Sequence, residues 1–334
     1  MKKFAIFGAG FIGKVHARNI HSHPDAAIGW VYDVNADAAQ HFNQQYGAQV
    51  ITNPDDIFGN PAVDAVVIAS STNTHADLLS RAIRAGKPTF CEKPIDLNLE
   101  RAKEVAALLK GKDVPVMMGF SRRFDADYAE VQRRFAAGEV GKLEMLHLTT
   151  RGPKPPPISY VKVSGGQLRD QTIHFFDLAQ WIAGEAPTEI YAVGACLVDP
   201  EIGAAGDMDT SMVTMRLPGG GLVHIDSSRR AAYGYDERIE IFAAGGMLEA
   251  GRKQLSDVRK YSANTVETAP MHPGWFERIE PSFRTFTDAI IRSLHGEAVA
   301  LPTFWDGLRA QQMAEAAYRS LATNAPAKVD YWLP

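Results

Sequence analysis

Cysteine is scarce in this 334-residue chain: Cys91 and Cys196 are the only two, and they stand too far apart in sequence to form a zinc cluster. Unpaired thiols fit a reducing compartment, so the expected location is cytoplasmic. Long apolar runs are missing as well. No segment approaches the about 18 uninterrupted apolar residues that a membrane span requires. Basic charge is not in surplus either; the formal net charge is -4, which gives no reason to expect nucleic acid as a partner. Neither an internal repeat nor a low-complexity tract is present. The histidine pair in His21-Ser22-His23-Pro24 is accounted for by a solvated turn, and no metal site is expected.

What is present is the composition of a globular protein, 46% hydrophobic and 22% charged, in a chain long enough for two well-buried domains. A small molecule is the default ligand class. Up to about residue 120, short apolar runs alternate with helical patterns, the signature of a parallel sheet with crossover helices. Strands are predicted at Lys3 to Phe7, Ala27 to Tyr32, Gln49 to Ile51, Ala65 to Ala69, Pro88 to Cys91 and Val114 to Met118. Helices are expected to start near Phe11, Ala36, Thr74 and Leu97, with Asn73 and Asn98 as capping residues.

Beyond that point the pattern changes. A helix at Ala126 to Ala136 and a strand at Leu143 to Thr150 precede a Pro-rich loop with Pro153, Pro155, Pro156 and Pro157. Another helix is predicted from Thr172 to Ala183. Alternating runs follow at Glu189 to Leu197, Thr210 to Leu217, Leu222 to Arg230 and Arg238 to Ala243, and two amphipathic helices, Phe276 to His295 and Trp305 to Ala322, close the chain. The fold class is therefore α/β, with an N-terminal doubly wound parallel sheet over 1–120 and a C-terminal α+β domain with a large, mostly antiparallel sheet over 121–334.

Gly8-Ala9-Gly10-Phe11-Ile12-Gly13 sits directly behind the first predicted strand, and Asp33 ends the second. That arrangement is the dinucleotide-binding fingerprint. The first glycine permits the tight turn, the second lets a pyrophosphate approach the backbone, and the third lets helix pack on strand. Lys2 and Lys3 before an apolar stretch could suggest a signal peptide, but the stretch is broken by three glycines and lacks a cleavage pattern. Strand plus phosphate turn explains it better. Asp33 should accept hydrogen bonds from a ribose and repel a 2′-phosphate, and no arginine follows in Val34-Asn35-Ala36, so NAD is expected over NADP.

Glu92-Lys93-Pro94 follows a strand on the rim where such sheets bind ligands, so Lys93 can be a substrate-facing ammonium or a solvated surface lysine. Asp170 and His174, four residues apart at a helix start, can share one cleft; equally, Asp170 can cap the helix and His174 can be a core histidine. Taken alone, the pair favours the second reading. Ser70, Asn73 and His75 divide in the same way between cofactor contact and helix capping.

These motifs together resemble the glucose-fructose oxidoreductase / inositol dehydrogenase / rhizopine catabolism family over almost the whole chain. Within it, Phe90 to Leu97, Tyr160 to Gly166 and Ser228 to Asp236 are closely similar to the inositol branch. The resemblance implies an NAD enzyme with Lys93, Asp170 and His174 as catalytic trio. It also implies that Gly8, Gly10, Phe11, Ile12, Gly13, Asp33, Ser70, Asn73, His75, Glu92 and Lys93 hold the cofactor, with Arg123, Tyr233 and Tyr235 as further substrate contacts. Oxidation of a cyclic polyol follows, with myo-inositol to 2-keto-myo-inositol as the expected reaction. The alternatives are scyllo-inositol, an aldose, or a non-catalytic nicotinamide sensor. A homotetramer is expected, because the family associates through the second sheet.

Three departures from the family pattern bear on the substrate. Gly152 follows Arg151 where an aspartate is usual, Phe175 follows His174 where an aspartate is common, and Ser121 replaces an asparagine.

Overall fold

Lys2–Phe7 (β1) buries Phe4, Ala5, Ile6 and Phe7 almost completely, which requires cover on both faces and so a central place in a parallel sheet. The rest of that sheet is β2 (Ala26–Tyr32), β3 (Gln49–Val50), β4 (Ala65–Ile68), β5 (Thr89–Cys91) and β6 (Val116–Met118). Every pairing is parallel and the order is β3-β2-β1-β4-β5-β6. All six expected strands are present, several shorter by a residue or two. The helices between them are α1 (Phe11–His21), α2 (Ala36–Tyr46), α3 (Asp55–Phe58), α4 (His75–Arg84) and α5 (Leu99–Leu109).

Local chemistry sets the ends of these helices. Asn35 caps α2 by accepting from Asp37 and Ala38 N–H, and Gly47 closes it at φ 71°, where a side chain would be strained. Asn98 caps α5 as expected, accepting from Glu100 N–H. Asn73 does not cap. It lies inside a 3₁₀ turn, Thr72–Thr74, with its side chain exposed, and α4 begins without a side-chain cap.

The structure, a computed structural model, describes residues 1–332, in two compact units. The first takes Met1–Phe124 together with Ser282–Gln311 and Trp332; the second takes Asp125–Pro281 and Gln312–Tyr331. Phe286, Ile290 and Ile291 pack in the first unit's core beside Phe4, Ile6, Phe42, Val67 and Phe90. Burying each side chain of this size contributes about 1.5–3 kcal/mol.

The second unit is built on a seven-stranded mixed sheet. Its elements begin with α6 (Ala126–Ala136), β7 (Leu143–Arg151), α7 (Ile158–Ser164), α8 (Gln167–Asp170), α9 (Ile173–Ala183) and β8 (Glu189–Ala195). They continue through α10 (Pro200–Ala204), β9 (Thr210–Arg216), β10 (Leu222–Ser228), β11 (Asp236–Ala243) and β12 (Gly246–Ala250). After the small hairpin β13 (Arg259–Tyr261) and β14 (Val266–Thr268), the chain runs through α11 (Trp275–Leu294) and α12 (Phe304–Thr323), which pass between the units at Pro281 and Gln311, to the edge strand β15 (Ala327–Lys328). Sheet order is β12-β11-β7-β10-β9-β8-β15. All its pairings are antiparallel except β7 with β10.

α9 is buried nearly all round, from Ile173 to Ile182, as an apolar helix inside a core must be. The sheet's two faces differ: in β9, Ser211, Val213 and Met215 are buried while Met212, Thr214 and Arg216 are exposed. The exposed face is not polar throughout. Met145 pairs with Leu222 on one side and Phe242 on the other, and Phe242 pairs with Met247, so four exposed apolar side chains form a row across four strands.

Candidate active site

In the first unit the strand order reverses between β1 and β4, so their carboxyl ends open the crevice where such sheets bind ligands. The three glycines of the turn are there for different reasons. A Cβ on Gly8, at φ 101°, would stand 2.5 Å from the Ala69 carbonyl oxygen. One on Gly13 would stand 1.9 Å from Gly8 O. Gly10 meets nothing: a Cβ there has no neighbour within 4 Å, and its φ of -74° suits any residue. The protein itself gives no reason for glycine at position 10, whereas a pyrophosphate lying on the backbone does. Behind the turn, α1 has no side-chain cap and no acidic residue in its first turn, leaving its N–H groups to an anion.

Asp33 reaches back to this turn. Its Oδ2 accepts from Ala9 N–H at 2.6 Å and its Oδ1 from Asn35 N–H at 2.8 Å. Each oxygen keeps a lone pair for a ribose hydroxyl. Phe11 and Val34 are 58% and 90% exposed, apolar surfaces beside the turn, and Ile12 is half-buried. The residues present thus fit a dinucleotide with an unphosphorylated ribose.

The neighbouring loops are stitched together by two histidines. His75 is buried, with Nδ1 2.8 Å from Pro94 O and Nε2 3.1 Å from Ser70 O. Its burial lowers its pKa, against those two carbonyls, which favour the proton. Ser70 Oγ is hydrogen-bonded to Thr74 Oγ1 at 2.7 Å. His16, on α1, meets Glu92 Oε1 at 2.7 Å, and a Cβ on Gly119 would collide with that carboxylate. Lys93 follows, half-buried, with a cis peptide to Pro94. Arg123 lies 3.4 Å from Asp306; burial works against the Asp306 carboxylate, yet Arg123 and Thr303 hold its pKa below the ordinary range.

The second unit places Asp170 and His174 on different helices. Asp170 is the last residue of α8, and His174 is in the first turn of α9, 9% exposed. Asp170 is therefore not the cap of α9; Thr172 holds that position. Instead, Asp170 Oδ1 accepts from the Tyr160 hydroxyl at 2.8 Å, and Oδ2 stands 3.9 Å from Arg229 Nη2. Tyr233 is 48% exposed and donates to Asp236 at 2.8 Å, while Arg151 donates to its hydroxyl at 3.4 Å. Tyr235 is buried, and its hydroxyl donates to Glu237 at 2.5 Å.

Tyr160 and Arg229 were not singled out as site residues from sequence. Both lie in strings that carry the family resemblance, but nothing in their spacing ties them to Asp170. Of the three departures, Phe175 and Ser121 are fully buried, at 0% and 1% exposure, so only Gly152 offers surface to a ligand.

Comparison with known proteins agrees with this geometry. Residues 2–120 match the oxidoreductase family with NAD-binding Rossmann fold, and residues 128–249 match the GFO/IDH/MocA C-terminal domain. The inositol 2-dehydrogenase of Rhizobium meliloti (strain 1021) is 38% identical over 320 residues, 96% of this chain and 97% of that protein. The crystal structure of a myo-inositol dehydrogenase from Corynebacterium glutamicum superposes with TM-score 0.93 at 35% identity, covering 99% of this chain and 100% of that one. A scyllo-inositol dehydrogenase from Lactobacillus casei, with bound NAD(H) and scyllo-inositol, gives TM-score 0.90 at 26% identity, covering 98% and 99%. The chain belongs to the GFO/IDH/MocA oxidoreductases, with that family's NAD-binding Rossmann fold and C-terminal domain.

Proposed function

We propose that this enzyme oxidises a secondary hydroxyl of a cyclic polyol to the ketone, with myo-inositol giving 2-keto-myo-inositol. The observation that carries the reading is the near full-length likeness to inositol dehydrogenases, over 96% to 99% of this chain. NAD, when bound, supplies the hydride acceptor. Gly8, Gly10, Phe11, Ile12 and Gly13 cradle its pyrophosphate, Asp33 takes its ribose hydroxyls, and Ser70, Asn73, Glu92 and Lys93 face its other half. His75 acts there through Ser70 and Pro94, the carbonyls on which its ring nitrogens rest.

His174 accepts the hydroxyl proton, a task suited to imidazole because that side chain changes charge near neutral pH. Lys93 donates a hydrogen bond to the same oxygen and offsets the negative charge that develops on it. Asp170 orients the imidazole or a neighbouring hydroxyl, while Arg123 and Tyr233 hold the rest of the ring. Tyr235, expected beside Tyr233 as a further substrate contact, is buried with its hydroxyl donating to Glu237, so it offers the polyol no free surface.

A panel of inositols and sugars, followed by NADH absorbance, tests the assignment. Turnover of myo-inositol above all others is expected, and turnover of aldoses alone would overturn it. Scyllo-inositol is the second reading. It is favoured by Gly152, which lacks the carboxylate that could bond a polyol.

The exposed row of Met145, Leu222, Phe242 and Met247 supports a homotetramer assembled through the second unit's sheet. Two unpaired thiols, buried Cys91 and exposed Cys196, support a cytoplasmic location. No helix among the described residues is long and apolar enough to cross a membrane.

A further inference from the structure

The Asp170 carboxylate is approached by two residues from outside its own helix, Tyr160 and Arg229, neither of them already given a role. Tyr160 comes from α7, and its hydroxyl donates to Oδ1 at 2.8 Å. Arg229 comes from the residue after β10, with Nη2 3.9 Å from Oδ2 of Asp170 and 3.2 Å from Asp207 Oδ2. The guanidinium is itself buried, with its side chain 3% exposed. Asp207 is fixed in turn, because its Oδ1 accepts from Gln167 N–H at the start of α8.

The helix that carries Asp170 is clamped at its other positions too. Arg169, one residue before, makes two bonds to Glu315 at 2.7 and 2.8 Å, and its guanidinium lies 4.4 Å from the Tyr318 ring centre. Gly166, at φ 88°, lets α8 turn back on α7, since a Cβ there would stand 2.3 Å from the Tyr318 hydroxyl. Four residues of helix do not hold their own shape in water, so this scaffolding sets where the carboxylate points.

We propose that Tyr160 and Arg229 are positioning residues that fix the two oxygens of Asp170 for the reaction. The inference rests on the reading of Asp170 as part of the catalytic trio. Tyr160 is 46% exposed, so removing its hydroxyl leaves the core intact. A carboxylate that has lost the Tyr160 hydroxyl spends less time in the reactive orientation, and the deficit appears in the chemical step.

The test is a cycle of Tyr160→Phe, Asp170→Asn and the double variant, with NADH formation as readout and thermal midpoints as a control of folding. Tyr160→Phe is expected to lower kcat about tenfold to a hundredfold with the KM for NAD unchanged, the range of a lost hydrogen bond to a charged group. In the Asp170→Asn background the same change should alter kcat less than about twofold, because its route to the reaction is already gone. Arg229→Lys should keep more kcat than Arg229→Gln. Wild-type kcat in Tyr160→Phe, or effects that multiply in the double variant, would overturn the positioning role while leaving Asp170 catalytic. Wild-type kcat in Asp170→Asn would instead overturn the reading of Asp170 itself, and the proposal with it.

Discussion

The three glycines of the phosphate turn make a prediction that separates folding from cofactor binding within six residues. Gly10→Ala should fold at least as well as the parent. Its φ of -74° is allowed for alanine and its Cβ meets nothing within 4 Å, so the loss of unfolded-state freedom should stabilise by about 0.4–1 kcal/mol. On the proposed reading the same methyl would take the space where the pyrophosphate meets the backbone, and NAD affinity should fall about tenfold or more, at about 1.4 kcal/mol per factor of ten. Gly13→Ala should do the reverse. Its Cβ would stand 1.9 Å from Gly8 O, a backbone atom of a turn that has no room to retreat, and overpacking of this kind costs about 1–3 kcal/mol or more. Gly8→Ala adds the left-handed backbone penalty of about 1–2 kcal/mol to a 2.5 Å approach to Ala69 O. Urea denaturation without cofactor measures the first effect, and calorimetric titration with NAD the second. Undiminished NAD binding by Gly10→Ala would refute the argument, because the open space above residue 10 would then belong to something other than the cofactor.

Asp33→Ser should raise kcat/KM with NADP relative to NAD, and should also cost stability, since the carboxylate holds the Ala9 and Asn35 N–H groups; an unchanged cofactor ratio would count against the ribose assignment. Gly152→Asp has room, with no atom closer than 3.9 Å to its Cβ, and should lower the KM for myo-inositol without moving the thermal midpoint; an unchanged KM would remove position 152 from the substrate site. His75, His224 and His272 all have lowered pKa values, with burial the largest cause. The unfolded chain therefore binds more protons, so urea midpoints should fall as pH drops below about 6.5, and His75→Gln should flatten that slope. If the chain forms the proposed homotetramer through this sheet face, Met145→Glu should leave the fold intact and yield a smaller species in size-exclusion chromatography with light scattering; an assembly of unchanged mass would place the contact elsewhere.

Much of the fold was legible because its signals are local. The apolar run at Phe4 to Phe7, the glycine turn behind it and the acidic residue at the end of β2 lie within one strand–helix–strand unit, and each constrains the next. Asn98 declared its helix in the same way. Less legible were features that depend on partners distant in sequence. The parallel pairing of β7 with β10 joins segments 77 residues apart in the register Thr149 to Asp226, and no alternation pattern distinguishes a parallel neighbour from an antiparallel one. The packing of Phe286, Ile290 and Ile291 beside β1 is equally invisible, because the amphipathic pattern of α11 shows that one face is buried but not against what.

The candidate site divides along the same line, and the division explains which residues were missed. Asp170 and His174 are four apart, a helical spacing, yet the helix is interrupted at Gln171 and Thr172 and the two lie on different helices. What fixes Asp170 comes from ten residues upstream, across a glycine turn, and from Arg229, beyond three intervening strands. A single buried guanidinium 3.2 Å from one carboxylate and 3.9 Å from another satisfies neither alone, so the positions of Asp207 and Asp170 are coupled through it. It follows that a substitution at Asp207, outside every motif, should reach the reaction through Arg229. Asp207→Asn is expected to lower kcat by less than Asp170→Asn does and to leave the KM for NAD unmoved. An NAD affinity that fell in step with kcat would show instead that the whole unit had been disturbed.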